Sequence, residues 1–178
     1  AIHTAERENQ TRAYEEKKEE IITAMVDKVD MLTGNLRLST ENGFATLLRS
    51  EMIPGETYDV GDRIKVFITE IKKETRGPSI ILSRIHPGLV SRLFELEVPE
   101  IKDGIVEIKR IAREAGSRTK IAVYSNDERV DAIGACIGQK GARVNRIVAE
   151  LGGEKIDIIE YSDEPEKYIS AALSPATV

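Results

Sequence analysis

The segment Ile137-Gly138-Gln139-Lys140-Gly141-Ala142-Arg143-Val144 has the residue types and spacing to hold an anion. Two glycines bracket a pair of residues that includes a lysine. Lacking Cβ atoms, both glycines would let a sugar–phosphate backbone come close to the chain. The segment leads directly into a helix, whose first N–H groups have no intrahelical acceptor and lie at the positive end of its dipole. The charges of that helix run against the usual order, which puts Asp or Glu in the first turn and Lys or Arg in the last. Here Lys140, Arg143 and Arg146 gather at the start and Glu150 lies near the end. Each misplacement costs on the order of 0.3–1 kcal/mol at low salt. An external anion would offset that cost, and a phosphodiester fits. The competing reading is a tight corner between two helices with solvated cations, and Gly-x-x-Gly spacing alone does not separate the two.

The elements that must position this corner can be read around it. Val144, Ile147, Val148 and Leu151 fall at i, i+3, i+4 and i+7, one apolar helical face, and Gly152-Gly153 ends that helix. Upstream, Asp131 is placed to cap a short helix running to Ile137. Val106-Glu107-Ile108 and Ile121-Ala122-Val123 read as strands joined through Ala115-Gly116-Ser117, and Ile156-Asp157-Ile158 as a third. A last helix is expected from Glu164 to Leu173, with Pro165 in its first turn. Leu89, Leu93, Phe94 and Leu96 suggest an amphipathic helix stopped near Pro99. The order is helix, two strands, two helices, strand, helix.

Residues 19–86 read differently. Ile21-Ile22-Thr23-Ala24-Met25-Val26, Leu36-Arg37-Leu38, Phe44-Ala45-Thr46-Leu47-Leu48, the run from Ile64 to Ile71, and Ser79-Ile80-Ile81-Leu82 are strand candidates. Asn42-Gly43 is a hairpin signal because both residues tolerate positive φ. Five strands in so short a stretch suit a small closed barrel, which removes exposed sheet edges. Pro87-Gly88 marks the boundary with the second domain. Residues 1–18 are polar on every side, as in a solvated connector helix.

Composition narrows the chemistry. A hydrophobic fraction of 40 % allows a buried core, and no apolar run approaches the roughly 20 residues that span a bilayer, so no membrane partner is expected. The single cysteine, Cys136, fits a reducing cytoplasm and reads as a small core residue. With His3 and His86 as the remaining soft ligands, a structural zinc site is not expected, nor any cofactor. His86, next to Pro87, reads as a plain linker residue. Ser83 and Ser117 have no nearby histidine, and no Gly-x-x-x-x-Gly-Lys-Ser/Thr loop is present. No catalytic residue is assigned. The net charge of −5 argues against coating nucleic acid by bulk charge, so binding must come from a local basic site. Aromatic residues make up 4 %, which leaves few stacking platforms. Phe67 reads as core, while Phe44, just after the hairpin, could be core or contact. Arg110, Arg113, Arg118 and Lys120 could face RNA or form the solvated face of a sheet.

The motif from Ile137 to Val144, in this order of elements, resembles the KH signature, whose Gly-x-x-Gly loop clamps about four nucleotides of single-stranded backbone. The helix-first order resembles the type II, prokaryotic arrangement, and the preceding barrel resembles an S1 domain, an OB-fold variant. Glu97-Val98-Pro99-Glu100-Ile101, Ala115 to Val123, Val130 to Gly138 and Glu150 to Ile158 resemble the S1–KH core of the NusA family of bacterial transcription termination and antitermination factors. The resemblance implies two domains, an OB-type five-stranded S1 barrel at 19–86 and a type II KH domain at 87–178. Residues 1–18 would end a polymerase-binding domain, and Leu173-Ser174-Pro175-Ala176 would lead into a second KH domain. The implied role is contact with nascent single-stranded RNA during pausing, termination and antitermination, with RNA polymerase and other antitermination factors as partners. Carried onto this chain, Gly138, Gln139, Lys140 and Gly141 would hold the backbone and Arg143 would extend the contact. Arg146, Arg118, Lys120 and Phe44 complete the candidate RNA-binding set. Two other readings remain, the RNA-binding tail of an exoribonuclease and a protein scaffold with a KH fold. The exoribonuclease family joins its KH and S1 domains in the opposite order.

Overall fold

The computed structural model describes residues 19–41, 43–74 and 77–164. The connector expected over 1–18, Asn42, the last expected helix beyond Glu164 and the lead at 173–176 lie outside them. The chain divides into two compact units between Leu89 and Val90.

The first unit is built from five strands: β1 (Ile21–Val29), β2 (Leu36–Thr40), β3 (Gly43–Leu47), β4 (Arg63–Glu74) and β5 (Gly77–Ser83). All pairings are antiparallel, in the order β3-β2-β1-β4-β5, and β3 and β5 approach each other, so that the sheet nearly closes into a barrel. The period-2 pattern explains the inside. Ala24 and Val26, Leu36 and Leu38, Ala45 and Leu47, Ile64, Val66 and Ile68, and Ile80 and Leu82 point inward and form one buried core. Thr40 pairs with Gly43, whose φ of 125° suits glycine in the tight reversal.

A buried arginine fixes the long β3–β4 connection. The side chain of Arg84, just after β5, donates to Glu56 at 2.8 Å and to the Lys65 carbonyl at 2.6 Å. His86 does more than link. Its ring stacks on the buried Phe67 ring at 4.7 Å, and its Nδ1 accepts the N–H of Gly88 at 2.9 Å, which caps the next helix.

That helix is α1 (Pro87–Glu97). Leu89, Val90, Leu93 and Phe94 are buried, but Leu96 is 62 % exposed and falls off the expected stripe. A single helical turn, α2 (Pro99–Lys102), starts at the proline that ended it. The second unit continues with β6 (Val106–Glu114), β7 (Arg118–Ser125), α3 (Ala132–Ile137), α4 (Ala142–Glu150) and β8 (Lys155–Glu160). β6 and β7 form an antiparallel hairpin and β8 runs parallel to β7. Ile121, Val123, Ile147 and Leu151 are buried in this unit, Ile147 from α4 and Leu151 from the residue just past its end. A five-stranded OB-type barrel followed by an α+β unit with the KH order of elements is therefore the fold.

Candidate nucleic-acid interface

The corner between α3 and α4 is made by three residues with positive φ. α3 ends where Gly138 turns to φ 78°, with its N–H given to the Gly134 carbonyl at 2.9 Å. Asp131 begins α3, but its side chain makes no cap hydrogen bond; its backbone carbonyl accepts Ala135 N–H. A single tight turn over Gln139–Gly141 follows, with Lys140 at φ 56° and Gly141 at φ 77°. The N–H groups of Gly141 and Ala142 are used inside the corner, on the carbonyls of Gly138 and Gln139. Those of Gln139 and Lys140 come first and have no carbonyl one turn back within it. Left-handed backbone costs a non-glycine residue about 1–2 kcal/mol, and strain of this kind concentrates at ligand clamps.

Gln139 and Lys140 are exposed, and Lys140 makes no ion pair among the described residues. The glycines serve the protein as well as any ligand. A Cβ at Gly138 would lie 2.6 Å from Cγ of Arg143 and 2.9 Å from its backbone nitrogen, and one at Gly141 would lie 3.2 Å from the Asn145 amide. Gly138 thus makes room for Arg143 to pass.

The cations expected at the start of α4 have partners of their own, and Arg146 lies at the middle of the helix rather than in its first turn. Arg143 donates to Glu100 at 2.9 Å and to the Ala135 carbonyl at 2.8 Å, and is half-buried. Arg146 meets Glu97 at 3.3 Å with its side chain 69 % exposed. Part of the dipole cost is therefore met inside the protein, by the Glu100 carboxylate from α2. Lys140 is the cation left facing outward.

The sheet sorts the remaining basic residues. Arg113 neither faces a ligand nor solvates the sheet. Its side chain is fully buried and forked onto Glu154, at 3.1 Å to each carboxylate oxygen. Glu154 also accepts from the Gly116 N–H at 2.8 Å and the Thr119 hydroxyl at 2.7 Å. The ladder puts Arg118 and Lys120 on the opposite face, level with Lys155 and Asp157 of β8. Arg118 is exposed and lies 3.6 Å from Asp157. Arg110, exposed, shares that face through its pairing with Ala122. The corner therefore gathers Gly138, Gln139, Lys140, Gly141, Arg143 and Arg146. Arg118 and Lys120 belong to the sheet and Phe44 to the barrel unit.

Phe44 is 61 % exposed, with the Arg37 guanidinium 4.2 Å from its ring centre, and Asp27 holds that guanidinium at 2.8 Å. Arg37 thus covers one ring face. Cys136 is buried on α3. Desolvation, then the negative charge of Glu100, push its thiol up to about 12. Among the described residues no three His, Cys, Asp or Glu side chains are grouped to hold a metal, and no helix is long and apolar enough to cross a membrane.

The profile of the NusA-like first KH domain matches residues 84–161. The chain is 47 % identical over 177 residues to the transcription termination/antitermination protein NusA of Bacillus subtilis, which covers 99 % of this chain and 47 % of the relative. Its counterpart from Thermus thermophilus is 48 % identical over 177 residues, covering 99 % of this chain and 46 % of the relative. That from Halalkalibacterium halodurans is 50 % identical over 163 residues, or 92 % of this chain and 42 % of the relative. The chain spans about half the length of the curated relatives it matches.

Proposed function

Because the chain belongs to the NusA family, we propose that it is the RNA-gripping S1–KH portion of a bacterial transcription termination/antitermination factor. In this reading it holds nascent single-stranded RNA without catalysing a reaction, in the cytoplasm, while the whole factor acts on pausing, termination and antitermination. RNA polymerase and other antitermination factors are the further partners of that whole. The observation that carries the reading is the corner at 138–141. It joins a strained, exposed Lys140, a pair of glycines and the N-terminal end of α4 within a KH order of elements. The backbone of the RNA lies along Gly138, Gln139, Lys140 and Gly141. Arg143 supports the corner from behind, and Arg146, the more exposed of the two arginines, reaches a flanking phosphate. Arg118 and Lys120 on the sheet and Phe44 on the barrel are secondary contacts.

The barrel-first order supports this over an exoribonuclease tail. An uncovered cation at the corner supports it over a protein scaffold. The test is fluorescence anisotropy with labelled single-stranded RNA, comparing the wild-type chain with the double variant Gln139→Asp, Lys140→Asp. Both side chains are exposed, and Asp is among the few residues that accept left-handed backbone, so the turn survives while its charge reverses. A loss of about tenfold or more, roughly 1.4 kcal/mol, is expected. Equal affinity for the two proteins contradicts the reading.

A further inference from the structure

We propose that Glu97 is an internal competitor for RNA phosphate: it holds Arg146 in the free protein, must release it on binding, and so limits how tightly the corner grips. The inference rests on the RNA-binding reading above and concerns the same site. Two carboxylates face α4, and they are not equivalent. Glu100 shares Arg143 with the Ala135 carbonyl, both contacts are shorter than 3 Å, and the stem of Arg143 packs over Gly138. Taking Arg143 away would open the corner itself. Glu97 makes one contact to Arg146 at 3.3 Å, and the arginine side chain is mostly in water.

One member of the outer pair is also a misplaced charge. Glu97 is the last residue of α1, where the helix dipole disfavours an anion, whereas Arg146 sits at the middle of α4, beyond the reach of its dipole. Arg146 offsets the misplaced Glu97. A phosphate that takes Arg146 leaves Glu97 without its partner at a helix end. The Glu97 side chain is only 27 % exposed, so water screens it incompletely and it goes on opposing the incoming anion. Exposed pairs of this kind are weak, which makes the exchange feasible and its cost measurable.

The experiment is a double-mutant cycle read by anisotropy with the same labelled single-stranded RNA: wild type, Glu97→Gln, Arg146→Gln and both together. Glu97→Gln is expected to tighten binding about 1.4- to fivefold, the range spanned by an exposed pair. Glu97→Ala moves the same way, and circular dichroism checks that each variant keeps the fold. In the Arg146→Gln background the gain from Glu97→Gln should shrink to what direct repulsion of the anion alone contributes. An unchanged or weakened Glu97→Gln overturns the proposal. So does a gain of full size without Arg146, because Glu97 would then act only as a repelling charge. If the Gln139→Asp, Lys140→Asp variant binds as wild type does, the RNA reading falls and takes this inference with it. If that variant fails to bind and the cycle is flat, only the role of Glu97 is refuted.

Discussion

On the proposed reading Lys140 carries the most among the single residues, because its backbone and its charge would make separate contributions. Its φ of 56° is a strained value for lysine, and its ammonium is unpaired among the described residues. Lys140→Asn removes the charge and substitutes a residue that prefers this backbone. The variant should be at least as stable to heat as wild type, bind single-stranded RNA more weakly, and lose about 0.7 from the slope of log affinity against log salt. An unchanged slope would mean that Lys140 touches no phosphate. Substituting the glycines is a poorer probe, since a side chain at Gly138 would collide with Arg143 before it met any RNA. Cys136 gives a second prediction. The folded thiol keeps its proton up to about 12, against 9.0 for an ordinary thiol. Alkylation at pH 8 should therefore be negligible in the native protein and rapid once it is unfolded. Stability should begin to fall as pH rises past 9, where only the unfolded thiol ionises. The glycines, Lys140 and the apolar face of α4 were legible because they are local in sequence. The partners of Arg143 and Arg146 were not, since Glu100 and Glu97 lie 43 and 49 residues away.

Among the elements, β6 shows where alternation stops being a guide. Its ladder with β7 shifts between Ile108 and Arg110, so one extra residue is accommodated there. The shift moves Arg113 onto the face of Ile108 and turns Arg110 the other way. Counting by twos could not tell which of the two was buried. The pair that results, Arg113 with Glu154, ties the β6–β7 hairpin to the start of β8 through the Gly116 N–H and the Thr119 hydroxyl. Arg113→Ala would leave Glu154 buried and uncompensated, and should cost about 3–5 kcal/mol in urea unfolding. The double variant Arg113→Met, Glu154→Leu should recover part of that loss, because an apolar pair carries no desolvation penalty, but not all of it, because the Gly116 N–H and the Thr119 hydroxyl lose their acceptor. A double variant as unstable as the single one would contradict this account. The barrel strands were legible where Leu36 and Leu38 or Ala45 and Leu47 alternate, but the irregularities after Val26 and Ile68 were not, and alternation does not account for the burial of Phe67 between Val66 and Ile68. The anchoring of the β3–β4 connection by Arg84 was not, because a buried arginine looks like a surface one until its acceptors at Glu56 and Lys65 are found.

The whole molecule combines an acidic total with a small basic site. A net charge of −5 should repel RNA at long range, so attraction must come from the few cations at the corner and on the sheet. Binding should therefore weaken steadily with log salt while showing a slope of only a few units. Affinity that ignores salt would favour an apolar protein interface instead. The order of barrel and KH unit was legible from turn signals and from the resemblance carried by Val130 to Gly138. The most direct measurement is a chemical-shift titration of the labelled protein with single-stranded RNA. Amide signals of residues 138–143 should move first and furthest, together with Arg146. If those signals stay fixed while others shift, or if none moves at saturating RNA, the corner is not where this protein holds its ligand.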